Sequence, residues 1–203
     1  MTKNLDNKGF RSVLNNYDLF FIDLWGVIHN GIELKEEAVE VLDKIAEAKK
    51  DYVLLTNAPR PKKNVENFLE KMGLDKNKRK NVFTSGEAAL VFLKKKHSSE
   101  MFFHIGPPRD FDLFIDFKKN QTQKIDESNY LLCTGLFDDN TQDLKYYKDL
   151  LAKHVSKKMI CTNPDLIVDK GDKREYCAGS IAMVFEELGG NVSYFGKPHP
   201  EVY

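Results

Sequence analysis

Long apolar runs are missing from these 203 residues. The longest spans only a few positions, far short of the roughly 20 needed to cross a bilayer, so no helical membrane span is expected. Net charge is missing as well. Thirty-one lysines and arginines balance 31 aspartates and glutamates, which removes the long-range attraction that a nucleic acid or an anionic membrane would need. Cysteine is scarce and odd in number: Cys133, Cys161 and Cys177 lack metal-ligand spacing and read as small core residues in a reducing compartment. The first eighteen residues, MTKNLDNKGFRSVLNNYD, carry no apolar segment of the secretory kind. A cytoplasmic protein is the expectation. Internal repeats and low-complexity tracts are also lacking. What is present, 41% hydrophobic and 31% charged residues, is ordinary globular composition, enough for one large domain or two small ones.

Strand and helix signals alternate along the chain. LFFIDL, from residue 19, is too continuously apolar for a half-exposed strand and suits a central parallel one. ELKEEAVEVLDKIAEAKK follows, with Ala38, Val41, Leu42 and Ile45 at helical spacing. YVLLTN is a second buried strand. RPKKNVENFLEKMGL repeats the helical pattern through Val65, Phe68, Leu69 and Met72, and Gly73 supplies a stop. Thr84 or Ser85 offers N-cap chemistry for the next helix, and MFFHIG reads as a third strand. This order predicts a parallel sheet covered by helices on both faces.

The stretch from Gly106 to Asn129 is polar, carries a Pro-Pro pair and reads as a crossing into a second α/β unit. That unit holds strands YLLCTGL and KMICTN with the helix TQDLKYYKDLLAKHV between them. From about residue 178 the chain returns to its first style, with Ile181, Val184, Phe185 and Leu188 on one helical face and VSYF as a strand. The expected division is therefore 1–107, 108–177 and 178–203.

Ligands of open parallel sheets bind at the carboxyl ends of the strands. Asp23, Thr56 with Asn57, and Lys197 all stand at such ends. An aspartate held there can serve as nucleophile or metal ligand. A hydroxyl and an amide can hold phosphoryl oxygens, and a lysine keeps the carboxylate ionised. Together they describe phosphoryl transfer through an aspartyl-phosphate, where positioning and charge compensation supply most of the catalysis.

DLWGVIHNG, LLTNAPR and FGKPHPEVY, in that order and spacing, resemble the first three motifs of the haloacid dehalogenase superfamily, class IIA, the branch that includes pyridoxal-phosphate and p-nitrophenyl-phosphate phosphatases. GPPRD, CTNPDLIV and CAGSIAMVFEELGG resemble one subgroup of that class, so the likeness covers nearly the whole chain. The resemblance implies a Rossmann-like α/β core with an inserted α/β cap. It implies Asp23 as nucleophile, with Thr56 and Asn57 on the phosphoryl oxygens and Lys197 neutralising both anions. It implies Mg²⁺ held by the Asp23 carboxylate and the backbone carbonyl of Trp25. Asn163 and Asp165, in TNPD, would look into the site from the cap and contact substrate, although Asn-Pro is first of all a turn. The implied partner is a small phosphorylated metabolite, with self-association through the cap.

Two departures stand out. The family pattern is Asp-x-Asp, and the second Asp, a proton shuttle, is Trp25 here. A lost general acid or base costs about 10² to 10⁴ in rate. His29 is the one nearby side chain that could substitute, against the ordinary reading of a polar loop residue. Secondly, the family's fourth motif, an acidic pair beyond the lysine, finds only Glu201 in the six residues after Lys197. The expectation is a core cut short, with weak Mg²⁺ binding and little phosphatase activity in this form. Two rival readings remain: a catalytically silent phosphate-binding protein on the same scaffold, and a metal-independent hydrolase like the superfamily's dehalogenases. Arg109-Asp110 reads as a surface ion pair, and Lys94–Lys96 as a solvated face.

Overall fold

The computed structural model describes residues 8–170 and 173–203. The start of the amino-terminal segment, residues 1–7, lies outside the described residues, as do Gly171 and Asp172. The first unit runs α1 (Arg11–Leu14), β1 (Leu19–Asp23), α2 (Glu36–Glu47), β2 (Asp51–Thr56), α3 (Lys62–Lys71), α4 (Lys76–Arg79) and β3 (Val82–Thr84). Its three strands pair in parallel in the order β1-β2-β3. Leu42 and Ile45 of α2 and Val65 and Leu69 of α3 pack with Leu54 and Val82 from the sheet, each such side chain contributing about 1.5–3 kcal/mol by leaving water. α3 ends at Gly73, whose φ of +91° suits glycine alone at little cost.

The second unit begins with α5 (Ser85–Lys96) and β4 (Phe102–Ile105). A kinked 3-10 segment (Pro108–Asn120), β5 (Gln121–Thr122), a 3-10 turn (Ile125–Glu127) and β6 (Tyr130–Cys133) follow. Next come α6 (Leu144–Leu151), β7 (Lys158–Cys161), the antiparallel hairpin β8 (Ile167–Lys170) and β9 (Lys173–Tyr176), α7 (Ala178–Glu187) and β10 (Asn191–Tyr194). The chain closes with a 3-10 turn, Pro200–Val202. Five strands form one all-parallel sheet in the order β10-β7-β6-β4-β5. Alternation along each strand separates two cores. Leu131, Cys133, Met159 and Cys161 meet α6 and α7 on one face, while Tyr130, Leu132 and Ile160 meet α5 and the 3-10 segment on the other.

Three expectations change. β4 is not the third strand of the first sheet; that place belongs to β3, and β4 pairs with β5 and β6. The boundaries expected at 107 and 177 therefore cut through the five-stranded sheet, and the two sheets part at residues 84 and 85 instead. An apolar run marks a strand without saying which backbone it pairs with, because ladder hydrogen bonds are made by groups common to all residues. β1 is an edge strand among the described residues rather than a central one, with Phe21 51% exposed and covered in part by Tyr203. Finally, the polar crossing is an ordered segment that buries Leu113, Phe114 and Phe117 under α5 and β4.

Candidate active site

β1 delivers Asp23 to its carboxyl end, in register with Leu55 of β2. The Oδ1 atom of Asp23 accepts from the Leu24 N–H at 2.9 Å and from Lys197 Nζ at 2.5 Å. The same ammonium donates to the Leu55 carbonyl at 2.9 Å. Residues 174 positions apart are thus joined at the exits of β1 and β10.

Asn57, buried at the exit of β2, organises the rest. Its Oδ1 accepts from the Lys197 N–H (2.7 Å), and its Nδ2 donates to the Lys197 carbonyl (3.0 Å) and to Asp165 Oδ1 (2.8 Å). Two sheets therefore turn their carboxyl ends toward one crevice, where ligands of such sheets sit. Burial raises the pKa of Asp165, opposed by Asn57 and the Lys197 charge and assisted by the charge of Asp23. Thr56 is buried beside Asn57, and its Oγ1 accepts from the Ala58 N–H at 3.3 Å.

Hydrogen bonds join Asp23, Asn57, Asp165 and Lys197, all expected at the site, and Thr56 precedes Asn57 at the exit of β2. Asn163 instead shapes the loop: its Oδ1 accepts from the Asp165 N–H at 3.0 Å, closing the turn that presents Asp165. His29 is buried, with Nδ1 accepting from the Gly31 N–H and its ring between Trp25 and Phe68. Burial lowers its pKa against the pull of Asp23, so it serves as a neutral packing residue. The Arg109-Asp110 pair does not form. Arg109 binds the exposed Asp138, while buried Asp110 accepts from Arg60 Nε at 3.1 Å, across the two units. Arg60 was not singled out from sequence; its place in LLTNAPR is the only signal it offers.

The loop carrying Asn57 is clamped from below by the start of α5. Ser85 Oγ and the Gly86 N–H both donate to the Ala58 carbonyl, and Thr84 Oγ1 donates to the Arg60 carbonyl. Of the two N-cap candidates, Thr84 and Ser85, the cap is Thr84, whose Oγ1 accepts from the Glu87 N–H at 2.9 Å. A Cβ at Gly86 would lie 2.4 Å from the Arg60 nitrogen and 2.5 Å from its carbonyl oxygen. Backbone atoms cannot step aside as a side-chain tip would. Gly86→Ala is accordingly expected to destabilise by about 1–3 kcal/mol, outweighing the gain of up to about 1 kcal/mol from better helix propensity. A urea melt checks the sign.

The family model described as haloacid dehalogenase-like hydrolase matches residues 20–117. A solved hydrolase of the haloacid dehalogenase-like family from Brucella suis is 30% identical over the whole chain, with a TM-score of 0.87, and the match covers 76% of that protein. The chain belongs to the haloacid dehalogenase-like hydrolase family. The 4-nitrophenylphosphatase of Thermotoga maritima is 26% identical over 94% of this chain and 72% of its own, with a TM-score of 0.68. At 20% identity, the glycerol phosphate phosphatase of Mycobacterium tuberculosis, solved with calcium, shares the fold over 94% of this chain and 56% of its own, with a TM-score of 0.67. No curated protein matches the sequence. Within this family the α/β architecture read from the sequence holds. Among the described residues no helix is long and apolar enough to cross a membrane.

Proposed function

We propose that the chain is a phosphomonoester hydrolase acting on a small phosphorylated metabolite, with Asp23 as nucleophile and the second unit, residues 85–195, as its cap. The observation that carries this reading is the Lys197 ammonium on Asp23, held in place by Asn57. The Oδ2 atom of Asp23, free of hydrogen bonds among the described residues, attacks phosphorus. The bond from phosphorus to the leaving oxygen breaks, and that oxygen keeps the electron pair. Water then cleaves the acyl phosphate, releasing inorganic phosphate and restoring the carboxylate. Lys197 and the Thr56 hydroxyl compensate charge on the transferring group where the two units meet.

A divalent cation fits as a partial site. Asp23 Oδ2 and the Trp25 carbonyl, which takes no hydrogen bond among the described residues, are hard oxygen donors of the kind Mg²⁺ accepts, with water and phosphate filling the shell. Among the described residues no cluster of three His, Cys, Asp or Glu side chains converges. When bound, the metal would neutralise phosphate charge as it meets the carboxylate.

The indole of Trp25 gives the leaving oxygen no proton. The enzyme is therefore expected to favour leaving groups that depart as stable anions. Its rate with p-nitrophenyl phosphate should exceed that with an alkyl phosphate by about 10²-fold or more beyond a relative with the second aspartate. Lys197→Met should lower kcat/KM by about 10²-fold. Both are tested by steady-state assays with and without Mg²⁺. Phosphate binding without turnover would replace this reading with a silent binding protein, and metal-independent halide release with a dehalogenase.

A further inference from the structure

Among the described residues the hairpin β8–β9 has no third strand, and it exposes Ile167 and Tyr176. A two-stranded hairpin is marginal by itself in water. At its base the Cys177 N–H and Ser180 Oγ both donate to the Leu166 carbonyl, tying it to the start of α7. Farther along, the exposed Asp169-Arg174 pair bridges its strands, an arrangement worth little in water. Its backbone reaches the first unit through one hydrogen bond among the described residues: Trp25 Nε1 donates to the Asp169 carbonyl at 3.0 Å.

The indole is held for this on its own side. Its ring meets His29 edge-on at 5.3 Å, and His29 meets Phe68 in the same way at 5.5 Å. Gly31, at φ +89°, lies so close that an added Cβ would stand 2.6 Å from the tip of the indole. The motif WGVIHNG thus builds a seat in which Trp25 has little freedom. Two residues upstream is Asp23; two residues before the hairpin is Asp165, bonded to Asn57. The strap spans the edge of the crevice between them.

We propose that Trp25 is a positioning residue that fastens the β8–β9 hairpin to the loop after β1 and so fixes the mouth of the crevice. On this view the residue at the acid's place trades proton transfer for a fixed second unit. The donor must be a side-chain N–H at the end of a long rigid ring. Phenylalanine would fill most of the seat and lose the strap.

Trp25 is the single tryptophan of the chain, so its fluorescence reports on the strap directly. Two measurements test it. Tryptic cleavage after Lys173 and Arg174, followed by mass spectrometry, should quicken about fivefold in Trp25→Phe, the scale of one lost hydrogen bond in a local opening equilibrium. Asp23→Asn should leave that rate unchanged. In a variant whose residues 168–175 are replaced by two glycines, Trp25 emission should shift to the red and become more accessible to acrylamide. Unchanged cleavage in Trp25→Phe, or unchanged emission in the shortened variant, overturns the proposal. Neither readout depends on turnover, so failure of the phosphatase reading leaves both standing.

Discussion

Asp23→Asn should abolish hydrolysis of p-nitrophenyl phosphate, lowering the rate by about 10³-fold or more, the scale on which a lost nucleophile is felt. The substitution is nearly isosteric. An amide oxygen can still accept from the Leu24 N–H, as Asp23 Oδ1 does at 2.9 Å. The fold should therefore survive while the attacking anion is gone. Lys197 keeps its bond to the Leu55 carbonyl, so the ammonium is not left without a partner. Acid quenching during turnover should trap a phosphorylated protein in the wild type and none in the variant. Retained turnover, or a phosphoryl group mapped to another residue, would sink the assignment of Asp23.

The second large effect is on stability and comes from His104. This residue sits on β4, buried, with Nε2 at 2.9 Å from Thr134 Oγ1. Burial pushes its pKa down from 6.5 to about 4. Above pH 6.5 the imidazole is neutral whether the chain is folded or not, and the group costs nothing. Between pH 6.5 and 4 the unfolded chain takes up a proton that the folded protein refuses, so stability falls with pH in that window. At about 1.4 kcal/mol for each pH step, the loss amounts to about 3 kcal/mol. Urea melts at pH 7 and 4.5 should show this slope in the wild type and a flatter one in His104→Gln, with carboxylate effects common to both. Equal slopes would show that His104 is protonated at no cost.

Much of the fold was legible because burial leaves a mark on side chains. The runs in β1, β2, β4, β6 and β7, and the helical spacing in α2, α3 and α7, state that these segments are covered by apolar neighbours. Hairpin β8–β9 left no such mark. IVDK and KREY are short and carry few apolar residues, and their strands are joined by backbone pairing and one exposed ion pair, so little in their composition separates them from a loop. The Arg60-Asp110 tie was hidden for a different reason: an ion pair 50 residues apart in sequence has no local periodicity.

Sequence by itself determined the type of the apolar strands and amphipathic helices, the family motifs and the chemistry on offer at Asp23, Asn57 and Lys197. It also showed that position 25 holds no acid. Tertiary structure alone decided that β4 joins the second sheet, that Asp165 meets Asn57 from across the crevice and that the Trp25 indole finds its partner 144 residues away. The division has a physical cause. Side chains record whether they meet water, whereas pairing partners are chosen by backbone amides and carbonyls, which every residue carries alike and whose positions only the folded chain fixes.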